Sequence, residues 1–364
     1  MSSTVRAISI FSVDKASGHS VYDDIFYFNL LKKSALPFKF YASEYSIAQL
    51  AKRCQVAEGN TSPICVDRSG WFSLAKAIRT IRVSPEDRVI FLGYSETFVT
   101  LFSIVNFLKK FDLVLVATNN ISRRRVRKYR IRLSIFFNLI SSRLTKIVVH
   151  TDEERRLCMT FGSKLFQKAV AKKHHLMIPQ WKEMKRPVLD RRTVVFFGPV
   201  KYYKPLQPML DLIRADTEGV FEYRFVNVDT EEVLKRLEPE EIRKVEFVNR
   251  WLSKNEYFAE YLRSSFIMLS HDKSFEGKLS GNLCDCISTG VPFIASNIEP
   301  VRSYIARYGD IGCVYDLSDP KWCREFVEGY SEQRYAKQLL SLREVSRDYE
   351  RSAVEEDNLH AMLA

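Results

Sequence analysis

The chain has 364 residues, of which 46% are hydrophobic and 27% charged, and its formal net charge is +12. This composition is that of a globular protein, and the length favours two domains over a single core. No apolar run reaches the roughly eighteen residues of a transmembrane helix. The N-terminal residues also lack the pattern of a signal peptide.

The chain contains seven cysteines, and their spacing is scattered. Only Cys284 and Cys286 lie close together, inside an apolar stretch with helical spacing. An odd number of cysteines without metal-ligand spacing indicates free thiols in a reducing cytoplasm and argues against a zinc site.

The first half of the sequence alternates short apolar runs with stretches of helical periodicity. Short strands that alternate regularly with helices predict a parallel sheet with helices on both faces. The predicted strands are 7–13, 38–43, 63–67, 87–93, 112–118 and 146–151.

The second half repeats this pattern after a polar linker at 174–192, and from about 319 onward it is helical and polar. We therefore predict an α/β chain of two Rossmann-like domains, 1–175 and 176–340, facing across a cleft. A helix in 341–364 is expected to pack back on the first domain. Ligands of such sheets bind at the carboxyl ends of the strands. The predicted strands of this half are 193–199, 221–228, 244–251, 265–271 and 291–297.

A strand, a glycine, a basic loop and a helix follow one another in TVVFFGPVKYYKPLQPMLDLI. Gly198 ends the strand, and Lys201 and Lys204 lie just beyond it. Lysines at this position can neutralise a diphosphate. The alternative is that both lysines are solvated loop charges.

A second loop and helix occur in SFEGKLSGNLCDCISTGVPFIAS. Small residues at Ser280, Gly281 and Asn282 open the helix, where free N–H groups suit a phosphate. Asp285 lies one turn further and could accept hydrogen bonds from ribose hydroxyls, and Glu276 follows the end of a strand. The alternative is an ordinary capped helix start.

Together these stretches resemble the GT-B glycosyltransferases that use nucleotide-sugar donors, in particular the group that builds bacterial cell-surface glycans. Lys204 matches the family's phosphate-binding lysine, and the stretch from Phe275 to Ser296 is similar to its donor loop and helix. The segment VEFVNRWLSKNEYFAEYLRSSFIMLSH resembles the one that passes the donor base, and KIVVHTDEERRLCMTFG resembles the end of the N-terminal domain.

The resemblance implies transfer of a sugar from a nucleotide-diphosphate donor to a glycan acceptor, without a metal cofactor. It places Glu276 near the donor sugar, Asp285 at the ribose and Arg250 near the base. Two departures affect the catalytic assignment. Glu276 and Asp285 are nine positions apart where many relatives have two glutamates eight apart. Asn119 and Asn120, which we assign to acceptor binding, stand where many relatives have His-Asn.

Candidates for acceptor binding and proton transfer lie in the first half. Gly18 and His19 follow the first strand, and His19 could bind the acceptor or act as a base near neutral pH. It could equally be a helix-start histidine beside a capping Ser20. Glu96 or Asp23 could supply the carboxylate that an inverting transferase needs.

Residues 123–132, RRRVRKYRIR, are strongly basic and contain no acid. An apolar stretch follows, so we predict a segment lying on an anionic membrane, as suits a lipid-linked acceptor and a peripheral enzyme at the inner face of the plasma membrane. One alternative is an arginine face over a core helix. Nucleic-acid binding is not expected, since only Tyr129 is interleaved. The basic residues are Arg123, Arg124, Arg125, Arg127, Lys128, Arg130 and Arg132.

Two other classes of function remain open at this stage. A sugar-nucleotide epimerase on the same fold would turn over a donor without an acceptor. A non-enzymatic basic module that binds nucleic acid or membrane would bind no donor.

Overall fold

The computed structural model describes most of the chain. The described residues are 7–12, 18–34, 36–56, 59–63, 78–79, 81, 83–84, 86–92, 95–106, 108–109, 111–117, 127–172, 192–250, 252–351 and 354–363.

The first half contains a seven-stranded sheet in the order β3-β2-β1-β4-β5-β6-β7, and every pairing is parallel. Its central strands are buried on both faces, as their nearly continuous apolar sequences require. The strands are β1 (Ile8–Ser12), β2 (Phe38–Ala42), β3 (Thr61–Pro63), β4 (Arg88–Leu92), β5 (Asp112–Ala117), β6 (Leu144–Val149) and β7 (Ala169–Ala171).

Helices cover this sheet, and their starts follow from local sequence. Ser95 caps one of them by accepting a hydrogen bond from the N–H of Phe98 at 3.4 Å, and Phe98 and Phe102, four residues apart, enter the core. The helices are α1 (Gly18–Lys32), α2 (Glu44–Arg53), α3 (Glu96–Val105), α4 (Arg127–Ile140), α5 (Asp152–Cys158) and α6 (Ser163–Lys168).

The second half contains a six-stranded parallel sheet in the order β10-β9-β8-β11-β12-β13. The strands are β8 (Arg192–Phe197), β9 (Phe221–Val226), β10 (Val245–Val248), β11 (Phe266–Leu269), β12 (Phe293–Ser296) and β13 (Cys313–Tyr315). The helices are α7 (Gln207–Ala215), α8 (Thr230–Leu234), α9 (Pro239–Ile242), α10 (Lys254–Leu262), α11 (Gly281–Thr289), α12 (Val301–Tyr308), α13 (Lys321–Glu328), α14 (Glu332–Arg351) and α15 (Val354–Leu363).

In both sheets the strand order reverses beside the first strand. β1 lies between β2 and β4, and β8 lies between β9 and β11. This is the doubly wound order, in which ligands bind outside the carboxyl ends of the strands at the reversal. The topology therefore selects the loops after β1 and β4, and those after β8 and β11, as places for ligands.

The α/β architecture of two parallel sheets is confirmed, but three short strands depart from the prediction. β3 is Thr61–Pro63, whereas the prediction began at Pro63, and residues 64–67 lie outside the described residues. The sequence analysis missed β7 and β13. Each has three residues, too few for an alternating or apolar run to stand out.

The chain divides into two compact units. The first comprises 1–175 with 353–364, and the second comprises 176–352. α14 continues without a break through residue 341 and belongs to the second unit, whereas α15 belongs to the first. Among the described residues, no helix combines the length and low charge needed to cross a bilayer.

A buried arginine holds α15 on the first unit. Arg88, at the start of β4, donates from Nη1 to the carbonyl oxygens of Met362, at 3.4 Å, and Leu363, and from Nη2 to Asp112 at 3.2 Å. Its cation thereby meets the C-terminal carbonyls of α15, the negative end of the helix dipole. Met362 itself belongs to the same buried core cluster as Ile8 and Ile10.

Candidate functional site

The candidate site in the second unit is built by two loops that follow neighbouring strands. Residues 198–206 follow β8 and residues 270–280 follow β11. Two hydrogen bonds join these loops. The Ser270 hydroxyl donates to the carbonyl of Pro205 at 2.7 Å, and the N–H of Asp272 donates to the carbonyl of Tyr203 at 3.0 Å.

Aromatic rings add to this junction. Tyr203 stacks on Phe275, with ring centroids 5.3 Å apart, and Phe275 stacks on His271 at 4.1 Å. Burial lowers the pKa of His271 to about 3, and the nearby Lys204 adds to the fall. The imidazole is therefore neutral at physiological pH and serves as one ring of the stack.

A glycine is needed at position 198 because two backbone segments pack closely there. A Cβ atom at this position would lie 1.9 Å from the carbonyl oxygen of Asn227, which follows β9. Only a glycine lets the two strand ends approach this closely. The role predicted for Gly198 in donor binding stays a prediction. The structure shows that the close approach to Asn227 fixes the position of the loop after β8.

Lys201 and Lys204 form the two ends of a tight turn, in which each backbone N–H donates to the carbonyl of the other lysine. Lys201 is exposed, and its ammonium lies 5.5 Å from the centre of the Tyr203 ring. Lys204 turns inward, so the turn presents one solvated and one buried cation.

The Lys204 side chain is only 6% exposed. Its ammonium donates to the carbonyl of Phe197, the last residue of β8, and lies 5.1 Å from the centre of the Phe196 ring. Burial lowers the pKa of Lys204 to about 8; Cys286 acts in the opposite direction and Lys201 in the same one. The ammonium has three N–H groups, and no second acceptor for them occurs among the described residues.

The start of α11 presents further hydrogen-bond donors. Ser280 caps the helix by accepting a hydrogen bond from the N–H of Leu283 at 3.4 Å. The backbone N–H groups of Gly281 and Asn282 precede the first intrahelical bonds. The side-chain Nδ2 of Asn282 is buried and has no hydrogen-bond partner within the described part of the chain. A buried amide donor without an acceptor costs free energy unless a ligand oxygen meets it.

Asp285 lies deeper than the prediction implied. It is 1% exposed, and its Oδ2 accepts a hydrogen bond from the Tyr257 hydroxyl of α10 at 3.1 Å. That hydroxyl also lies 3.2 Å from the hydroxyl of Tyr261. Burial, followed by the charge of Asp285, holds the pKa of Tyr257 well above its usual value. Sequence reasoning missed both tyrosines, because nothing in the sequence pairs α10 with α11.

Replacing Tyr257 with phenylalanine should remove the hydrogen bond to the buried Asp285 and lower the free energy of unfolding by about 2 kcal/mol. Urea denaturation of the full chain measures this loss. Tyr202→Phe is the matched control, because the Tyr202 ring is largely exposed. Equal stability of the two variants would show that the Tyr257 hydroxyl contributes nothing.

Glu276 is tied to the loop after β12. Its Oε1 accepts hydrogen bonds from the backbone N–H of Glu299 at 3.1 Å and from Nη2 of Arg302 at 2.5 Å. The next residue, Gly277, has φ of +75° and donates to the carbonyl of Glu299 at 2.9 Å. Glu276 thus anchors the loop that precedes α11, and its role near the donor sugar stays a prediction.

Arg250 follows β10, at the carboxyl edge of the same sheet. It is largely exposed, and its Nη1 donates to Glu256 at 2.6 Å. Glu256 and Ser253 form the capping box of α10. Hydrogen bonds from Ser253 and Arg250 lower the pKa of Glu256 to about 2. Arg250 is therefore held at the start of the helix that also carries Tyr257.

The candidates of the first unit are described only in part. The α1 helix starts at Gly18, directly before His19. The side chain of His19 lies outside the described residues, as do Asn119 and Asn120. Glu96 opens α3 and forms an ion pair of 3.5 Å with Arg132 of α4. Since β1 and β4 are neighbours, the starts of α1 and α3 follow adjacent strands.

The basic segment is also described only in part. Arg123, Arg124 and Arg125 lie outside the described residues, and only the backbone of Arg127 and Lys128 is described. Arg130 and Arg132 are exposed on α4. Of the apolar residues predicted to face the membrane, Leu133, Phe136, Phe137 and Ile140 are instead buried in the core of the first unit. They cannot reach a bilayer, and Ile131, Ile135 and Leu139 remain exposed.

Known proteins resemble this chain in structure and not in sequence. No family model matches the chain, and no curated protein matches its sequence. Solved structures match over nearly the whole length. The HepE protein of Anabaena in complex with UDP-glucose covers 98% of both chains at 10% identity, with a TM-score of 0.67.

Two further structures match to a similar degree. A glycosyltransferase from Rickettsia africae covers 98% of this chain and 97% of its own at 11% identity, with a TM-score of 0.64. An alpha,alpha-trehalose-phosphate synthase (UDP-forming) from Burkholderia vietnamiensis covers 98% of both chains at 10% identity, with a TM-score of 0.62. The chain has the GT-B fold. The resemblance found in the sequence is thereby confirmed for the fold.

The described residues contain no cluster of three His, Cys, Asp or Glu side chains able to hold a metal.

The donor residues predicted from the sequence all lie at the carboxyl edge of the second sheet. Besides Tyr261, three residues there were missed. Lys278 lies with its ammonium 5.4 Å from the centre of the Phe275 ring, Arg302 pairs with Glu276, and Tyr257 pairs with Asp285. Lys278 could have been predicted from the sequence, because it lies between two assigned site residues, Glu276 and Ser280.

Proposed function

We propose that this protein transfers a sugar from a nucleotide-diphosphate donor to a glycan acceptor, with the donor bound in the second unit. The observation that carries the proposal is the arrangement beside β8 and β11. There the buried Lys204 and the exposed Lys201 belong to joined loops, and the helix start that follows them carries the Asn282 Nδ2, which has no partner among the described residues. The fold shared with a protein solved in complex with UDP-glucose supports it.

In this proposal the donor's anomeric carbon loses its bond to the diphosphate oxygen and forms a bond to the acceptor oxygen. Lys204, Lys201 and the N–H groups from Ser280 to Asn282 stabilise the leaving diphosphate, so that no metal is needed. Asp285 is assigned to the ribose by the sequence resemblance, and its carboxylate would have to leave its buried position against Tyr257 to reach it. Arg250 lies near the base. Glu96 or His19 takes the proton of the acceptor hydroxyl, and Glu276 lies near the donor sugar.

We further propose that the acceptor is a lipid-linked glycan in the synthesis of cell-surface polysaccharide, and that the enzyme works at the inner face of the plasma membrane. The strongly basic segment at 123–132 supports this, because surface cations each add about 1 kcal/mol of attraction to anionic lipids. Nucleic acid is not a proposed partner, since the exposed side chains of α4 beyond Arg132 are mainly aliphatic.

Calorimetric titration of the full chain with UDP, GDP, ADP and CMP, in EDTA, tests the donor site. We expect one nucleoside diphosphate to bind clearly more tightly than the others, which also names the donor class. The matching sugar nucleotide is then incubated with and without acceptor glycans. Failure of all four nucleotides to bind would overturn the proposal. Conversion of the donor to its epimer without an acceptor would replace it with the epimerase.

A further inference from the structure

One face of α4 is apolar yet exposed. Ile131, Ile135 and Leu139 are 55%, 56% and 57% exposed, and their spacing of four residues puts them on one side of the helix. The opposite side already contributes Leu133 and Phe136 to the core. The helix therefore carries two apolar faces, and the described residues bury only one of them.

The neighbouring helix extends this surface. Arg132 of α4 donates to the Thr97 hydroxyl of α3 at 3.2 Å, so the two helices lie side by side. Ile104 lies seven residues beyond Thr97, on the same side of α3, and is 60% exposed. Leu108, in the turn that follows, is 93% exposed.

The exposed apolar residues of these two neighbouring helices, called the patch below, make up much of the exposed apolar surface. Of the eleven large hydrophobic residues exposed in the described part of the chain, six lie on α3, on the turn after it and on α4. Single exposed apolar side chains are ordinary, but a contiguous apolar patch marks an interaction surface. The six are Ile104, Val105, Leu108, Ile131, Ile135 and Leu139.

The charged residues around the patch indicate which kind of partner it binds. Arg130 and Arg132 are exposed beside it, and Arg132 forms an ion pair with Glu96 of α3. No acidic residue occurs in the sequence between Asp112 and Asp152. A second copy of this chain would bring its own arginines against these, and like charges would meet. An anionic bilayer instead offers phosphates for the arginines and hydrocarbon for the isoleucines.

We propose that the outer surface of α3 and α4, made by Ile104, Leu108, Ile131, Ile135 and Leu139, docks on an anionic lipid bilayer. The aliphatic side chains enter the boundary between headgroups and acyl chains, and Arg130 contacts lipid phosphates. The purpose of docking rests on the proposed function, because a lipid-linked acceptor is reached only at the bilayer. The docking itself is measured without any nucleotide or acceptor.

Sedimentation with vesicles of phosphatidylcholine, with and without phosphatidylglycerol, tests the proposal. We expect the full chain to bind the vesicles that contain phosphatidylglycerol. The triple variant Ile131→Ser, Ile135→Ser, Leu139→Ser should reduce the partition coefficient at least about tenfold. Leu340→Ser, at an equally exposed leucine of α14, is the matched control and should bind like the unchanged protein.

Nucleotide affinity separates this proposal from the proposed function. The triple variant should keep the affinity for its nucleoside diphosphate, and its urea denaturation should match that of the unchanged protein, which shows that the first unit is folded. The independent pair Ile104→Ser, Leu108→Ser should weaken vesicle binding in the same way. Unchanged vesicle binding by both variants, or no binding of the unchanged protein, overturns the proposal. Loss of self-association or of a protein partner, with vesicle binding intact, overturns it too.

Discussion

Replacing Lys204 with alanine should weaken the binding of the nucleoside diphosphate roughly a hundredfold, about 3 kcal/mol. The ammonium is buried against the carbonyl of Phe197, where water screens its charge poorly, so its attraction for a diphosphate is strong. Lys201 is exposed, and Lys201→Ala should cost far less. Calorimetric titration of the two variants side by side measures the difference.

The pH dependence of binding gives a second test of the same residue. Because burial lowers the pKa of Lys204 to about 8, the affinity for the diphosphate should be constant below that pH and fall above it, as the amine loses its charge. Lys204→Arg keeps the charge at every pH and should flatten this profile.

The free energy of unfolding should rise over the same pH range in which the affinity for the diphosphate falls. Above pH 8 the unfolded chain retains a proton on Lys204 that the folded chain has lost, up to the ordinary lysine value near 10.5. The free energy of unfolding therefore gains from this group as the pH rises through that window. An affinity that does not change between pH 7 and pH 9.5, or an equal loss in Lys201→Ala, would contradict the assignment.

Replacing Gly198 with alanine should destabilise the protein by about 3 kcal/mol or more. The added Cβ would lie 1.9 Å from the carbonyl oxygen of Asn227 and 2.7 Å from its carbonyl carbon. Both are backbone atoms at the end of β9, so the clash is relieved only by separating the ends of β8 and β9. Urea denaturation measures the stability loss.

Gly219→Ala is the matched control for that substitution. Gly219 has φ of +67° but nothing within 4 Å of its added Cβ, so only backbone strain of about 1 kcal/mol is expected. Gly198→Ala should also weaken nucleotide binding, because residue 198 positions the turn that carries Lys201 and Lys204. Equal stability losses at the two glycines would show that the contact with Asn227 is not the cause.

The sequence by itself determined the class of fold and the order of its elements. Apolar runs such as DLVLVA and TVVFF, separated by helical spacing, are local patterns, and a parallel sheet buried on both faces requires them. The start of α11 was also predictable, since Ser280 and the small residues after it are a local capping signal. The resemblance to the GT-B family rested on these same stretches.

The tertiary structure decided where side chains at the candidate site point. The sequence located Lys204 and Asp285, but not that the ammonium of Lys204 turns under β8 or that Asp285 faces Tyr257 from another helix. The helical period of α4 also left open which apolar residues are in the core and which are exposed. Each outcome depends on contacts between residues distant in sequence, as with Arg88 and Leu363. Local propensity carries no information about such contacts, because they form only when the elements pack.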